Sequence, residues 1–222
     1  MTATHASTHT STHTSAHAST PASTPGEDAP LRVAVILGSV REGRQGAAVA
    51  DWFLGAAGAI GGLDLDLIDL ADIDLPLAMP GWGGSPNEQA AAALAKVSPR
   101  LAAAEAFVIV TPEYNHSFPA VLKNLIDWHR EEWHAKPAGF VSYGGIGGGL
   151  RAVEQLRLVF AELHAVTVRD SVSLHGPWSG LGPDGVPRDT AVAEGAVKGM
   201  LGQLAWWGRA LRAARTSRPY QG

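Results

Sequence analysis

The chain has 222 residues, 45% of them apolar, and a formal net charge of −4, which fits one domain with a sizeable core. No basic run points to nucleic acid or an anionic membrane, and no apolar stretch reaches the length of about 20 residues that a membrane span needs. Cysteine is absent; this excludes disulfides, thiol nucleophiles and thiolate metal sites, fits a cytoplasmic protein, and leaves any redox chemistry to a bound cofactor.

Residues 1–30 are rich in Thr, Ser, Ala and His and carry no Asp, Glu, Lys or Arg before Glu27. They lack hydrophobic periodicity and are expected to form a disordered tail. The tail has neither the basic start and apolar middle of a secretory signal nor the arginines of a mitochondrial transit peptide. His5, His9, His13 and His17 recur every four residues. On a helix they would share one face and could bind a metal. The intervening Thr and Ser are poor helix formers, so the repeat reads as low complexity instead. Residues 31–222 read as one folded domain.

Leu31–Leu37 is a near-continuous apolar run, the pattern of a strand buried on both faces. Gln45–Ala59, with Ile60, carries apolar residues at Val49, Trp52, Phe53, Ala56 and Ile60, the spacing of a helix face. Leu63–Leu70 alternates Leu with Asp and predicts a strand near a sheet edge. Ser85-Pro86-Asn87-Glu88 reads as a capping box with Pro at the first helical position, opening a helix to about Ala103. Ala106–Thr111 is predicted as the third strand, Pro119–Trp133 as a helix and Gly139–Ser142 as a short fourth strand. Leu150–Leu163 is predicted as a helix and Ala165–Leu174 as a strand interrupted at Arg169-Asp170. Asp189–Ala214 is the closing helix. Five strands alternating with helices predict an α/β fold with a parallel sheet covered on both faces. The expected order is 2-1-3-4-5, with right-handed crossovers. In that order a ligand sits beyond the carboxyl ends of strands 1 and 3, where the winding reverses.

Two loops follow those strands. In Gly38-Ser39-Val40-Arg41-Glu42-Gly43-Arg44-Gln45-Gly46, Gly38 permits a sharp turn, Ser39 offers a hydroxyl and Arg41 a guanidinium fork. The helix beginning near Gln45 aims free N–H groups at the same spot, an arrangement suited to a phosphate. An ordinary strand-to-helix turn with a solvated arginine is the other reading. The segment matches neither the dinucleotide fingerprint nor a triphosphatase loop. In Thr111-Pro112-Glu113-Tyr114-Asn115-His116-Ser117, Pro112 and Tyr114 stiffen the chain and leave backbone amides free to pair with a heterocycle edge. Asn115 can donate and accept. Glu113 reads as an acceptor of backbone N–H bonds in preference to a general acid or base. His116 contacts substrate, caps Ser117 or faces solvent. Lys123 and Asn124 read as structural. A third, glycine-rich turn, Ser142–Gly149, follows strand 4. Its glycines either clear space for a planar substrate or nicotinamide, or serve only the backbone angles of the turn.

Gly38-Ser39-Val40-Arg41, Thr111-Pro112-Glu113-Tyr114-Asn115, Leu122-Lys123-Asn124 and Ser142-Tyr143-Gly144-Gly145 together resemble the NADPH-dependent FMN reductases. That flavodoxin-like family includes quinone, azo-dye and chromate reductases, and the resemblance covers about residues 31–212. It implies a three-layer sandwich and FMN held without a covalent link. Ser39, Arg41 and Gln45, with nearby amides such as that of Gly46, would hold the phosphate. Pro112, Glu113, Tyr114 and Asn115 would line the isoalloxazine, and Ser142, Tyr143, Gly144 and Gly145 would lie on its other side. His116 and Gly148 are the candidates for substrate contact. Many relatives have Ser or Asn near Gln45, and Gly or Tyr where His116 stands. The family also implies homodimers or homotetramers; Trp82, Trp128 and Trp133 are candidates for that contact or for the core.

The resemblance implies hydride transfer from NADPH or NADH to FMN and then to a small acceptor by a ping-pong scheme, with no catalytic acid or base and no metal. Backbone amides near the ring would stabilise the anionic reduced flavin. Arg44 or Arg151 is a candidate for the 2′-phosphate of NADPH. The competing readings are a flavodoxin-type electron carrier and a non-enzymatic FMN-binding module. A carrier is expected to have a Ser/Thr-rich phosphate loop and a more acidic balance than −4.

Overall fold

The computed structural model describes residues 29–81, 83–176 and 180–222. The histidine repeat, with nearly all of the expected tail, and Trp82 lie outside the described residues.

Strand β1 (Leu31–Leu37) is buried throughout except at Arg32. Its alternate side chains feed two separate cores. Leu31, Val33, Val35 and Leu37 pack with helices α1 (Gly46–Gly58) and α5 (Thr190–Ser217). Ala34 and Ile36 pack on the other face with α2 (Glu88–Ala103), α3 (Ala120–Asp127) and α4 (Leu150–Glu162). Between these layers run β2 (Leu63–Asp69), β3 (Ala106–Pro112), β4 (Pro137–Gly144) and the short β5 (Val166–Thr167) and β6 (Val172–His175). All pairings are parallel, in the order β2-β1-β3-β4-β5, with β6 also paired to β4. The alternating Leu/Asp strand β2 does stand at the edge.

Several boundaries differ from the sequence expectation; the fourth strand, expected as the short Gly139–Ser142, extends over Pro137–Gly144. Helix α2 is capped by Asn87, whose side chain accepts from Ala90 N at 2.8 Å. Ser85 and Pro86 therefore precede the helix, because the backbone of Asn87 is still extended, with ψ of 173°, and its side chain caps the first turn. The helix expected to run to Trp133 stops at Asp127, and a short 3₁₀ turn, Glu131–Trp133, follows. The break turns Trp133 inward, where it is fully buried against Phe107 and Phe160, with ring centroids 4.6 and 5.5 Å away. Trp133 is thus a core residue and no candidate for a subunit contact. Trp128 is half-buried and donates to Pro76 O at 3.0 Å.

The expected interruption at Arg169-Asp170 is present, and it makes six strand segments of the expected five. Backbone groups that leave the ladder need other partners. Arg157 donates to Val168 O and Arg169 O at 2.6 and 2.8 Å, and Asp170 N donates to the Gln203 side chain at 3.1 Å. Helix α5 outruns its expected end. In its last turns Arg212 grips the buried Glu105 carboxylate and the carbonyl of Ala29, holding the start of β1. Among the described residues no helix is long and apolar enough to cross a membrane.

Lys136 is buried at the foot of β4 and donates to Leu101 O and Ala102 O, both at 3.1 Å. Burial pushes its ammonium down from 10.5 to about 8. The unfolded chain then holds the proton more tightly between these two values, so stability rises with pH from about 8 to 10.5. Denaturant titrations across that range should show this increase in the native chain, and Lys136→Met should flatten it.

Candidate functional site

The ladder between β1 and β3 ends with Gly38 N donating to Val110 O at 2.9 Å. Beyond it the chain after β1 enters α1 on one face, and the chain after β3 enters α3 on the other. A crevice must open where two bonded strands part in this way.

The first loop closes through a turn in which Arg44 N donates to Arg41 O at 3.1 Å and Gly43 takes a φ of +67°. Helix α1 has Gln45 at its N-cap, with no side chain capping it, and its first intrahelical bond of this turn is Val49 N to Gln45 O. The amides of Gly46, Ala47 and Ala48 therefore point out of the helix without an intrahelical acceptor, at its positive end. Arg41 is exposed beside them and Ser39 is buried. Gly46 permits the close packing here: a Cβ would collide with the Tyr143 hydroxyl and lie 2.9 Å from Leu37 Cδ1.

The second loop is a tight reversal in which Tyr114 and Ser117 exchange backbone bonds at 2.8 and 3.0 Å. Asn115 and His116 occupy its centre with φ of +49° and +68°, as a type I′ turn requires. Both side chains face solvent. Gln155 of α4 holds the turn from outside, donating to His116 O and accepting from Ser117 Oγ, both at 2.6 Å. Pro112 is buried at the end of β3. Glu113 accepts from Arg151 N at 3.2 Å and pairs with Arg151 Nε at 3.0 Å. Its carboxylate thus ties the second loop to the start of α4, which favours the structural reading over an acid–base role. Asn124 is structural too, donating to Leu75 O and Pro76 O.

The third loop is pinned from beneath. Ser142 Oγ and Ser173 Oγ both donate to Gly148 O, at 2.8 and 2.9 Å. His175 Nδ1 donates to Ile146 O at 2.9 Å, so this nitrogen carries a proton. Two expectations change. Gly148 is buried, with a φ of +56° and its open side filled by Ser173 and His175; it builds the turn and does not face a substrate. The side chains of Ser142 and Tyr143 point into the protein, leaving Gly144, Gly145 and the 92%-exposed Ile146 at the surface.

The loops meet through side chains. Ser39 Oγ and Tyr114 OH share a hydrogen bond of 2.9 Å across the crevice. Tyr143 OH is sealed in beside Ser39 and Gly46, has no partner of ordinary hydrogen-bond geometry among the described residues, and is pushed up in pKa by its burial. The uncapped helix end and the exposed Arg41 guanidinium, which has no side-chain partner among the described residues, are a donor set that fits a phosphate. Arg44 and Arg151 are both held in ion pairs, with Asp69 and Glu113. Ser173 and His175 were not singled out from the sequence. Strand alternation in Val172-Ser173-Leu174-His175 does place both on one face, but their partners lie 25 and 29 residues away.

The profile of the NADPH-dependent FMN reductase family matches residues 31–179. The chain belongs to this family. An NAD(P)H-dependent FMN reductase of Schizosaccharomyces pombe is 38% identical over 126 residues, 53% of this chain and 60% of that protein. A probable NADPH:quinone oxidoreductase of Oryza sativa subsp. japonica is 31% identical over 182 residues, 77% of this chain and 85% of that protein. The chain spans between 48% and 65% of the length of the first three curated relatives it matches. Among solved structures, the flavoenzyme FerB of Paracoccus denitrificans shares the fold, with a TM-score of 0.64 at 23% identity over 80% of this chain and 97% of that one.

The packing at Gly46 makes a paired prediction. Gly46→Ala should destabilise the FMN reductase fold by about 1–3 kcal/mol through overpacking. Gly55→Ala, in open space on the same helix, should stabilise by about 0.5–1 kcal/mol. Thermal unfolding of the two variants checks both signs.

Proposed function

We propose that the protein is an FMN-dependent NAD(P)H oxidoreductase, with residues 31–222 as its reductase domain, acting in the cytoplasm as a homodimer or homotetramer. The observation that carries this reading is the convergence of Ser39, the exposed Arg41 and the uncapped start of α1 at the point where β1 and β3 part. The likeness to relatives named FMN reductase and quinone oxidoreductase supports it. A relative from Burkholderia sp., 34% identical over 143 residues, is named 2-hydroxy-1,4-benzoquinone reductase. It supports a quinone as the acceptor, ahead of a free flavin, an azo compound or a metal oxyanion.

FMN, when bound, would supply the redox chemistry that carries an electron pair from NADPH or NADH to the acceptor. Arg41 would hold the phosphate, together with Ser39 Oγ, the Gln45 side chain and the amides of Gly46–Ala48. The amides of Glu113 and Tyr114 are bonded to Tyr143 O and Ser117 O, so the stretch Pro112–Asn115 would meet the ring edge through Asn115, whose exposed side-chain amide can donate or accept there. Gly145, exposed with open space where a Cβ would stand, leaves the opposite side open. His116, exposed at the rim, meets the substrate. Glu113 positions the loop through Arg151 and exchanges no proton with the substrate. One open face serving both nicotinamide and acceptor implies that they bind in turn, a ping-pong scheme.

Protein loaded with FMN and desalted should bleach on NADPH addition under nitrogen, and steady-state double-reciprocal plots should be parallel. Retained flavin that NADPH does not reduce would overturn the reductase reading. Arg41→Ala should weaken FMN binding about tenfold while leaving riboflavin, which lacks the phosphate, unaffected; fluorescence titration measures both.

A further inference from the structure

We propose that Arg44 is a positioning residue locked by Asp69, which holds the phosphate loop in shape and is not itself a ligand of any phosphate. The inference rests on the flavin reading above and assigns how that site is kept in place. Arg44 lies in the loop and carries a positive charge, so the chemistry of its side chain alone equally suits an anion ligand. Its geometry points elsewhere.

The guanidinium meets Asp69 as a fork on a fork. Nη1 donates to Oδ1 at 2.7 Å and Nη2 donates to Oδ2. Nη1 also donates to the carbonyl of Ser39. The two side chains are 19% and 21% exposed, so the pair is largely withdrawn from water. Burial alone would push the Asp69 carboxyl up, but the Arg44 guanidinium and the Ala71 N–H outweigh it and hold it below the usual carboxylate range. The hydrogen bond to Asp69 likewise raises Arg44 against its own burial. A bidentate, partly desolvated pair of this kind is directional as well as strong.

Its placement makes it a clamp. Asp69 closes β2, level with Leu37 at the end of β1. It is fixed there by also accepting from Ala71 N at 3.0 Å, which caps the short turn Leu70–Asp72. Arg44 fixes both phosphate-facing residues of its loop. Its side chain grips the carbonyl of Ser39, and its backbone N–H closes the turn that begins at Arg41. The edge strand, which contributes nothing else to the site, thereby sets the position of Ser39 and Arg41.

Asp69→Asn separates the two roles. If Arg44 is a clamp, losing the carboxylate charge loosens the loop, and FMN affinity falls about tenfold with riboflavin affinity unchanged. If Arg44 is a phosphate ligand, releasing it from Asp69 leaves FMN affinity the same or tighter, and the proposal is overturned. Arg44→Lys keeps the charge but not the fork, and should lie between the native chain and Arg44→Ala in FMN affinity. A readout free of flavin accompanies these: in the apoprotein, amide hydrogen exchange over residues 39–48 should quicken in Asp69→Asn while α4 and β4 stay protected. Unchanged exchange over 39–48 would overturn the clamp. A native chain that binds neither FMN nor riboflavin would overturn the flavin reading itself, whereas equal FMN binding by native and Asp69→Asn protein overturns the clamp alone.

Discussion

The structure depends on two adjacent strands that are buried on both faces and then part. While β1 and β3 run together, their amides and carbonyls satisfy each other, and their side chains fill two cores at once. After the bond from Gly38 to Val110 the chains diverge to opposite layers. The backbone groups beyond that point cannot pair with each other, so they either find local partners or remain open to a ligand. The site exists because a parallel sheet wound in both directions has this one place where adjacent crossovers leave in opposite senses.

What fills the crevice is mostly backbone, and the loops there are held by side chains from elsewhere. Tyr114 reaches across to Ser39. Glu113 reaches forward to Arg151. Ser173 and His175 rise from β6 to the carbonyls of the glycine turn. Glu113, Ser173 and His175 thereby bond backbone groups that no ladder or helix serves. The charged members of the set are consumed in this structural work, which leaves Arg41 exposed at the phosphate end and Asn115 and His116 exposed at the ring end. A site built this way presents amides and glycine surfaces to a planar ligand. That suits chemistry carried by the ligand better than chemistry carried by a protein acid or base.

Much of this was legible beforehand. The near-continuous apolar run Leu31–Leu37, the Leu/Asp alternation from Leu63 and the helix-face spacing on α1 each follow from burial acting on a fixed period, and each element stands where its pattern placed it. The switch point followed from strand order alone. Less legible were features decided by competition. Asn87 and Ser85 could both cap α2, and only the extended backbone at Asn87 settles which does. Trp133 fits a continuing helix as well as a core, until the helix must end to bury it. Gly148 and Gly145 are alike in sequence, but one is buried under Ser173 and His175 and the other faces solvent.

By itself, then, the sequence determined the fold class, the strand order and the two loops that meet at the crevice, because these rest on local periodicity and on the chemistry of neighbouring residues. The division of labour among Arg41, Arg44 and Arg151 was decided only by the tertiary structure. Three arginines near phosphate-like loops are equivalent as letters. They differ because Asp69, at the end of an edge strand, and Glu113, across the crevice, lie within reach of two of them, and an ion pair formed at a distance of 25 or 38 residues leaves no trace in local pattern.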